Sequence, residues 1–265
     1  MAQDPTEQDL LVDFERKHIP AHYKPYYLNK RHNFFMTIDQ FPYVWNCFMH
    51  LDEIVLREFD TMQRLRDPNL MFPMILFMNA HQKVRVAFEL GCSTCLTEAH
   101  SIMRDAIESA AHGNRLASDP KLLKVWLEKN DGKSAKEIFK REFEDHKATR
   151  LFDGLPELHK LWKQFSDFGS HTNFNSIVSR FVFNKTATDM EFRFNYVGVE
   201  PAVLVQALFE MVLVFNEIER VLFSFNKSRL QLDAALVGMR NRFDKEKEDT
   251  RQYIIKTFNV QRPIP

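Results

Sequence analysis

The sequence predicts an all-α protein: a multi-helix bundle with long antiparallel helices and one small β-hairpin at about residues 181–197. Three observations support this fold class. Apolar residues recur at intervals of three and four over long stretches, which is the period of a helix. Glycine is rare, with 7 in 265 residues, and few glycines mean few tight turns between short strands. A single region alternates apolar and polar residues with the period of a strand.

Seven helical segments follow from this periodicity and from the residues that start and stop helices. The first has apolar residues from Phe41 to Leu65 on one stripe, with Asp39 as its N-cap and Asp67-Pro68 as its end. Ser134 and Glu137 have the spacing of a capping box at the start of another. The predicted helices cover residues 40–66, 73–116 with a break near 91–93, 120–128, 134–150, 156–168, 200–225 and 228–258.

We predict one helical domain over residues 30–258, preceded by a less ordered N-terminal arm (1–29) and followed by a short tail (259–265). The chain has no internal repeat or linker of low complexity. With 25 phenylalanines, much of the core is expected to be aromatic.

Charge and cysteine content restrict the classes of function. Lys+Arg and Asp+Glu both total 36, so no overall field attracts nucleic acid or anionic lipid. The apolar segment 202–225 is interrupted by charged and amide side chains, which predicts a buried helix and no membrane span. Three cysteines and no visible secretion signal favour a reducing cytoplasm.

Cys92 and Cys95 form a CxxC motif. A redox pair would need a thioredoxin-like context, and a zinc site would need a second pair of ligands at short spacing. Neither is present, so we interpret both cysteines as small core residues. No cofactor and no metal are predicted.

Four ionisable residues at intervals of four form a ridge along one predicted helix: His100, Arg104, Glu108 and His112. They would bind an anion or place a general base if the ridge is internal. They would form ordinary surface pairs if it faces solvent. Small residues on the same side of the helix favour burial, and the two interpretations remain open.

Two residues elsewhere are candidates for the same site. Glu210 interrupts an almost wholly apolar helix, so we expect its carboxylate to be buried and paired, with Arg104 as the partner. His171 follows the predicted helix end at Gly169, where polar residues suit either a site wall or a plain loop.

A nuclease motif and a family resemblance bear on function. Arg141 and His146 have the R-x4-H spacing of HEPN ribonucleases, but the acidic residues between them would repel phosphate. Residues 104–108, Ser118-Asp119-Pro120, Ser166 and His171 resemble a group of mostly bacterial helical proteins, without an assigned activity, that are placed near the HEPN superfamily. The resemblance implies that Arg104, Glu108 and His171 gather at one place in the bundle.

Two hypotheses follow, and neither decides whether the protein is an enzyme. The first is a binding protein or a nuclease, with an internal polar pocket formed by Arg104, Glu108, His112, His171 and Glu210, that takes a small anionic ligand, a nucleotide or RNA. The second is a non-catalytic interaction module that forms a homodimer.

Overall fold

A computed structural model of the protein describes residues 17–62, 67–144, 150–169, 181–185, 190–194, 199–227 and 234–259. The described residues are predominantly helical, as predicted. The helices are α1 (Lys24–Gln40), α2 (Pro42–Met62), α3 (Pro68–Cys92), α4 (Leu96–Ser118), α5 (Leu122–Leu127), α6 (Lys133–Phe139), α7 (Pro156–Gly169), α8 (Pro201–Asn226) and α9 (Ala234–Phe258). A π-helical turn (Lys140–Glu144) follows α6, and a 3₁₀ turn (Arg150–Phe152) precedes α7.

The long helices α3 and α4 pack antiparallel, and so do α2 and α9. Along α3 and α4, the amide of Asn79 donates to Ser109 while Lys83 lies beside Asp105. Along α2 and α9, Tyr43 stacks on Tyr253 and Arg57 contacts Met239. In each pair, residue numbers rise along one helix while they fall along the other, which is the antiparallel direction.

The core helix of the bundle is α8, which has fourteen buried residues. Its length and composition would allow it to cross a membrane, but 56% of its most apolar 18-residue segment is buried inside the protein. Gly91 allows α3 to approach it closely, because a Cβ atom at that position would lie 2.9 Å from Leu208 Cδ2. This burial explains the apolar run in the sequence.

Several predicted boundaries differ from the structure. The break near Gly91 is confirmed, since α3 ends at Cys92 and α4 begins at Leu96. Asp67 caps α3, since its carboxylate accepts a hydrogen bond from Asn69 N; residues 63–66 lie outside the described part of the chain, so the end of α2 at Asp67 stays a prediction. The Ser134 capping box is wrong: α6 begins after Gly132, whose φ of 111° suits glycine, and no side-chain cap is made.

Helix α1 was not predicted, and it overlaps the segment interpreted as an arm. Thr37 is its one buried residue, because its apolar residues are spread around the helix and form no single stripe. Its aromatic side chains nevertheless matter for the site described below.

Two short strands, β1 (Phe181–Lys185) and β2 (Met190–Phe194), pair antiparallel with Phe181 opposite Phe194. The residues between them lie outside the described part of the chain. How this pair packs on the bundle stays a prediction.

Candidate functional site

The ridge of four ionisable residues lies on α4 and packs against other elements of the bundle. His100 lies against Phe165 of α7, with ring centroids 5.0 Å apart. At the other end, His112 stacks against Phe139 and Phe143, at 6.1 and 5.2 Å. The ridge is therefore partly internal. Helix α4 packs on two sides, because the ridge faces α7 and the α6 region while another side faces α3.

The two central residues of the ridge pair with each other. Arg104 Nη2 lies 3.1 Å from Glu108 Oε1, and the indole nitrogen of Trp162 donates to the same oxygen at 2.7 Å. The Arg104 guanidinium also lies 5.3 Å from the centre of the Trp162 ring. With side chains 39% and 29% exposed, this pair is half-buried and satisfies its charges locally.

The predicted pairing of Glu210 with Arg104 is wrong. Glu210 accepts a hydrogen bond from Gln206 on its own helix, with nitrogen and oxygen 2.9 Å apart. Burial raises the pKa of its carboxyl group. An amide one turn away satisfies this carboxyl group without a buried guanidinium, which would carry a large desolvation cost.

Burial lowers the pKa of both histidines on the ridge, that of His112 to about 4. Its Nδ1 atom is buried and has no hydrogen-bond partner among the described residues. Both rings are therefore neutral core histidines near pH 7. His171, together with the polar residues around it, lies outside the described residues, so its predicted place beside the ridge stays a prediction.

The remaining motifs have structural explanations. Cys92 and Cys95 are buried core residues, as interpreted from the sequence, and Cys47 is buried as well. Burial raises the pKa of Cys92 to about 12. Arg141 is exposed and pairs with Glu142, while His146 lies outside the described residues. Within the described ranges, no group of three or more potential ligands could hold a metal ion.

A site that the sequence did not predict lies between α1, α2 and α3. It is a cleft of about 590 Å³, which we call the aromatic cleft. Eight aromatic side chains contribute to its walls, together with three cations, two carboxylates and two small or flexible residues. They are Tyr23, Tyr26, Tyr27, Phe34, Phe35, Trp45, Phe48 and Phe88, then Lys30, Arg31, Arg85, Asp52, Glu89, Met49 and Ser93.

A buried polar network supports one wall of the aromatic cleft. Arg85 Nε and Nη2 donate to the two oxygens of Asp52 at 2.7 and 2.6 Å, and His81 Nε2 lies 2.7 Å from Asp52 Oδ1. Burial would raise the pKa of Asp52, but the hydrogen bonds from Arg85 and His81 lower it to about 2. Asp52 is thus ionised at any physiological pH and fixes the Arg85 guanidinium.

Helix α1 forms the opposite wall and contacts both α2 and the residues between α3 and α4. Asn33 donates to the hydroxyl of Thr94 at 2.9 Å, and Phe34 meets the edge of Trp45 at a centroid distance of 6.0 Å. Thr94 itself lies in the left-handed region with φ 62°, an uncommon conformation for a β-branched residue. These contacts hold α1 across the groove between α2 and α3.

The sequence did contain a signal for this site. Aromatic and basic residues are concentrated between Tyr23 and Phe35, which is unusual for an unordered arm. The signal was missed because the segment lacks the one-sided stripe by which helices are predicted.

A second buried polar cluster joins α2, α8 and α9. Arg240 Nη1 donates to Glu58 Oε1 at 3.1 Å and also to Glu219 Oε1, while its guanidinium lies over the Phe223 ring at 3.7 Å. Burial, followed by repulsion from Glu219, raises the pKa of Glu58 to about 9, although Arg240 opposes this. One cation thus serves two buried carboxyl groups, and one of them holds a proton.

Comparisons with models of protein families, with curated proteins and with solved structures found no match. The class of protein therefore rests on the molecule itself: a helical bundle with a preformed, aromatic cleft at the junction of three helices.

Proposed function

We propose that this protein binds a small organic molecule in the aromatic cleft. The observation that carries the proposal is the cleft itself, because about 590 Å³ falls within the range of roughly 300–1,000 Å³ typical of ligand sites. Its lining is also of the typical kind: mostly aromatic, with a few polar groups at defined positions. The ridge on α4, by contrast, satisfies its own charges and serves the packing of α7.

The Asp52 network supports the proposal, since it keeps one wall of the cleft rigid without a ligand. The Asp52 side chain is 5% exposed and is held from two sides by His81 and Arg85. A preorganised wall reduces the conformational entropy that ligand binding would otherwise cost.

N-phenyl-1-naphthylamine, a neutral fluorescent probe with two aromatic ring systems, tests the proposal. We expect its fluorescence to rise with saturation at one molecule per chain. Met49→Trp places a larger side chain in the cleft and should weaken binding at least about tenfold, since the displaced ring contacts are worth more than a factor of ten in affinity. Met36→Trp is the matched control, because Met36 is exposed on α1 and is not among the lining residues. Absence of saturable binding, or equal binding by both variants, would refute the proposal.

Other expectations belong to the same proposal. Antiparallel pairing of β1 and β2 supports a β-hairpin over the bundle, and three cysteines that form no disulfide support a cytoplasmic location. A nucleotide or RNA ligand, and the HEPN-like relationship that implies it, rest on the resemblance of residues 100–173 alone.

A second candidate function is the interaction module, which one observation favours. Met71, Ile75 and Met78 are exposed on one side of α3, and clustered exposed apolar residues are typical of interfaces. If a homodimer forms through this face, light scattering will show twice the chain mass, and Ile75→Glu will return it to the monomer mass. A monomer at all concentrations would exclude this candidate.

A further inference from the structure

We propose that the molecule bound in the aromatic cleft is anionic, and that its carboxylate or phosphate group lies between Arg85 of α3 and Lys30 of α1. This inference rests on the proposed function and specifies the chemistry of its ligand.

The first argument is the geometry of Arg85. Its Nε and Nη2 atoms are used by Asp52, which leaves Nη1 with no partner among the described residues. The side chain is 42% exposed and lines the cleft. A guanidinium carries five N–H donors, and Asp52 uses two of them. The remaining donors, two on Nη1 and one on Nη2, include a second fork formed by Nη1–H and Nη2–H, in a plane that Asp52 fixes. Such a fixed fork matches the two oxygens of a carboxylate or phosphate.

The second argument is the charge across the cleft. Lys30 and Arg31 line it from α1, and Lys30 has no ion-pair partner among the residues that the structure describes. The lining holds three cations and two carboxylates, but Asp52 is 3% exposed and faces Arg85 and His81. Once the Asp52–Arg85 pair is set aside, Lys30 and Arg31 share the lining with the single carboxylate of Glu89, so the cleft keeps an excess of one positive charge and is complementary to an anion.

The third argument is the combination of charge with aromatic rings. Tyr27, Phe34 and Trp45 offer ring faces and edges to a flat apolar group. An inorganic anion would leave these rings unused, and a purely apolar ligand would leave Lys30 unpaired beside it. A planar ring system with an acidic substituent would contact the aromatic rings and also pair with Lys30.

Two probes that share one ring system separate these possibilities. 1-Anilinonaphthalene-8-sulfonate carries a sulfonate, which stands in for the carboxylate or phosphate, and N-phenyl-1-naphthylamine lacks it. We expect Arg85→Gln and Lys30→Gln each to weaken binding of the sulfonate probe about tenfold, the typical effect of a lost hydrogen bond to a charged group. Binding of the neutral probe should stay within about twofold, since its ring contacts are unchanged.

Lys30→Gln guards against a folding effect, because it leaves the Asp52 network intact. Lys24→Gln, on the same helix but not among the lining residues, should change neither affinity. If the neutral probe fails to bind the wild-type protein, the proposed function itself is wrong. If it binds while both variants keep the wild-type ratio of the two affinities, only the anionic inference is overturned.

Competition then identifies the acid. Displacement of the sulfonate probe by 2-naphthoate indicates a carboxylate ligand, and displacement by adenosine 5′-monophosphate indicates a phosphate. If neither displaces it, the inference is wrong.

Discussion

Glu58 should make the protein less stable as the pH rises from 6.5 to 8.0. Its side chain is fully buried between Glu219 and Arg240, and its pKa is raised from 4.5 to about 9. Between these two values the folded protein holds a proton that the unfolded chain has lost. The free energy of unfolding therefore falls as the pH rises.

The magnitude follows from the size of this pH window. One bound proton changes the free energy of unfolding by about 1.4 kcal/mol per pH unit, so the window of 1.5 units predicts a loss of about 2 kcal/mol. Other groups contribute less, at the two edges of this window. Histidines titrate in the unfolded chain at about pH 6.5, so burial of His100 and His112, which lowers their pKa, adds some stability at the lower edge. Thiols ionise in the unfolded chain at about pH 8.5, so burial of Cys47 and Cys92, which raises their pKa to about 12, removes some stability at the upper edge. The difference between the wild type and a Glu58 variant isolates the contribution of Glu58.

Urea denaturation at four pH values across this window measures the effect. Glu58→Gln keeps a neutral group of the same shape, so its stability should be nearly independent of pH where that of the wild type declines. Glu53→Gln, an exposed position on the same helix, should keep the wild-type slope. A wild-type stability that is flat or rises with pH, or a Glu58→Gln variant with an unchanged slope, would refute the assignment of a buried proton to this cluster.

Three further predictions concern packing and charge, each measured by urea denaturation at pH 7. Gly91→Ala should cost roughly 1–3 kcal/mol because its Cβ would crowd Leu208. Gly238→Ala, on a helix with open space around it, should gain about 0.5–1 kcal/mol, and a loss at both positions would contradict the packing explanation. Asp52→Asn should cost about 3 kcal/mol, since two hydrogen bonds to charged partners are weakened; a cost below about 1 kcal/mol would show that the network does not hold the wall. Arg104→Ala should cost less than about 1 kcal/mol, as expected for a half-exposed i,i+4 pair, and a larger loss would show that it is buried in solution.

The helical architecture could be predicted because it depends on local patterns. Spacing alone predicts one apolar stripe over residues 41–65, and five of its residues are buried in the structure: Phe41, Val44, Phe48, Leu51 and Val55. A period of 3.6 needs only neighbours along the chain. Capping was predicted less well, since Asp67 suits the end of one helix and the start of the next equally.

The polar networks of the aromatic cleft and of the Arg240 cluster could not be predicted, because both depend on contacts between distant segments. Arg240 meets Glu58 across 182 positions of the chain, and Asp52 meets Arg85 across 33. Nothing in the spacing of these residues indicates their partners. The ridge on α4 was predicted for the opposite reason, because its four residues are regularly spaced. In the structure that regularity reflects the i,i+4 pair of Arg104 and Glu108 and the packing of the two histidines against α7 and the α6 region.

Helix α1 has a consequence for the rate at which a ligand could enter and leave. One of its residues, Thr37, is buried, while Phe41 at its end is held in the core against Phe258. A helix with so little buried surface opens locally at a much lower free energy than the whole bundle unfolds. Its backbone amides should therefore exchange with deuterium long before those of α8, and a molecule in the aromatic cleft should slow that exchange on α1 alone. The residence time of the ligand would then be set by the opening of one helix about a fixed phenylalanine.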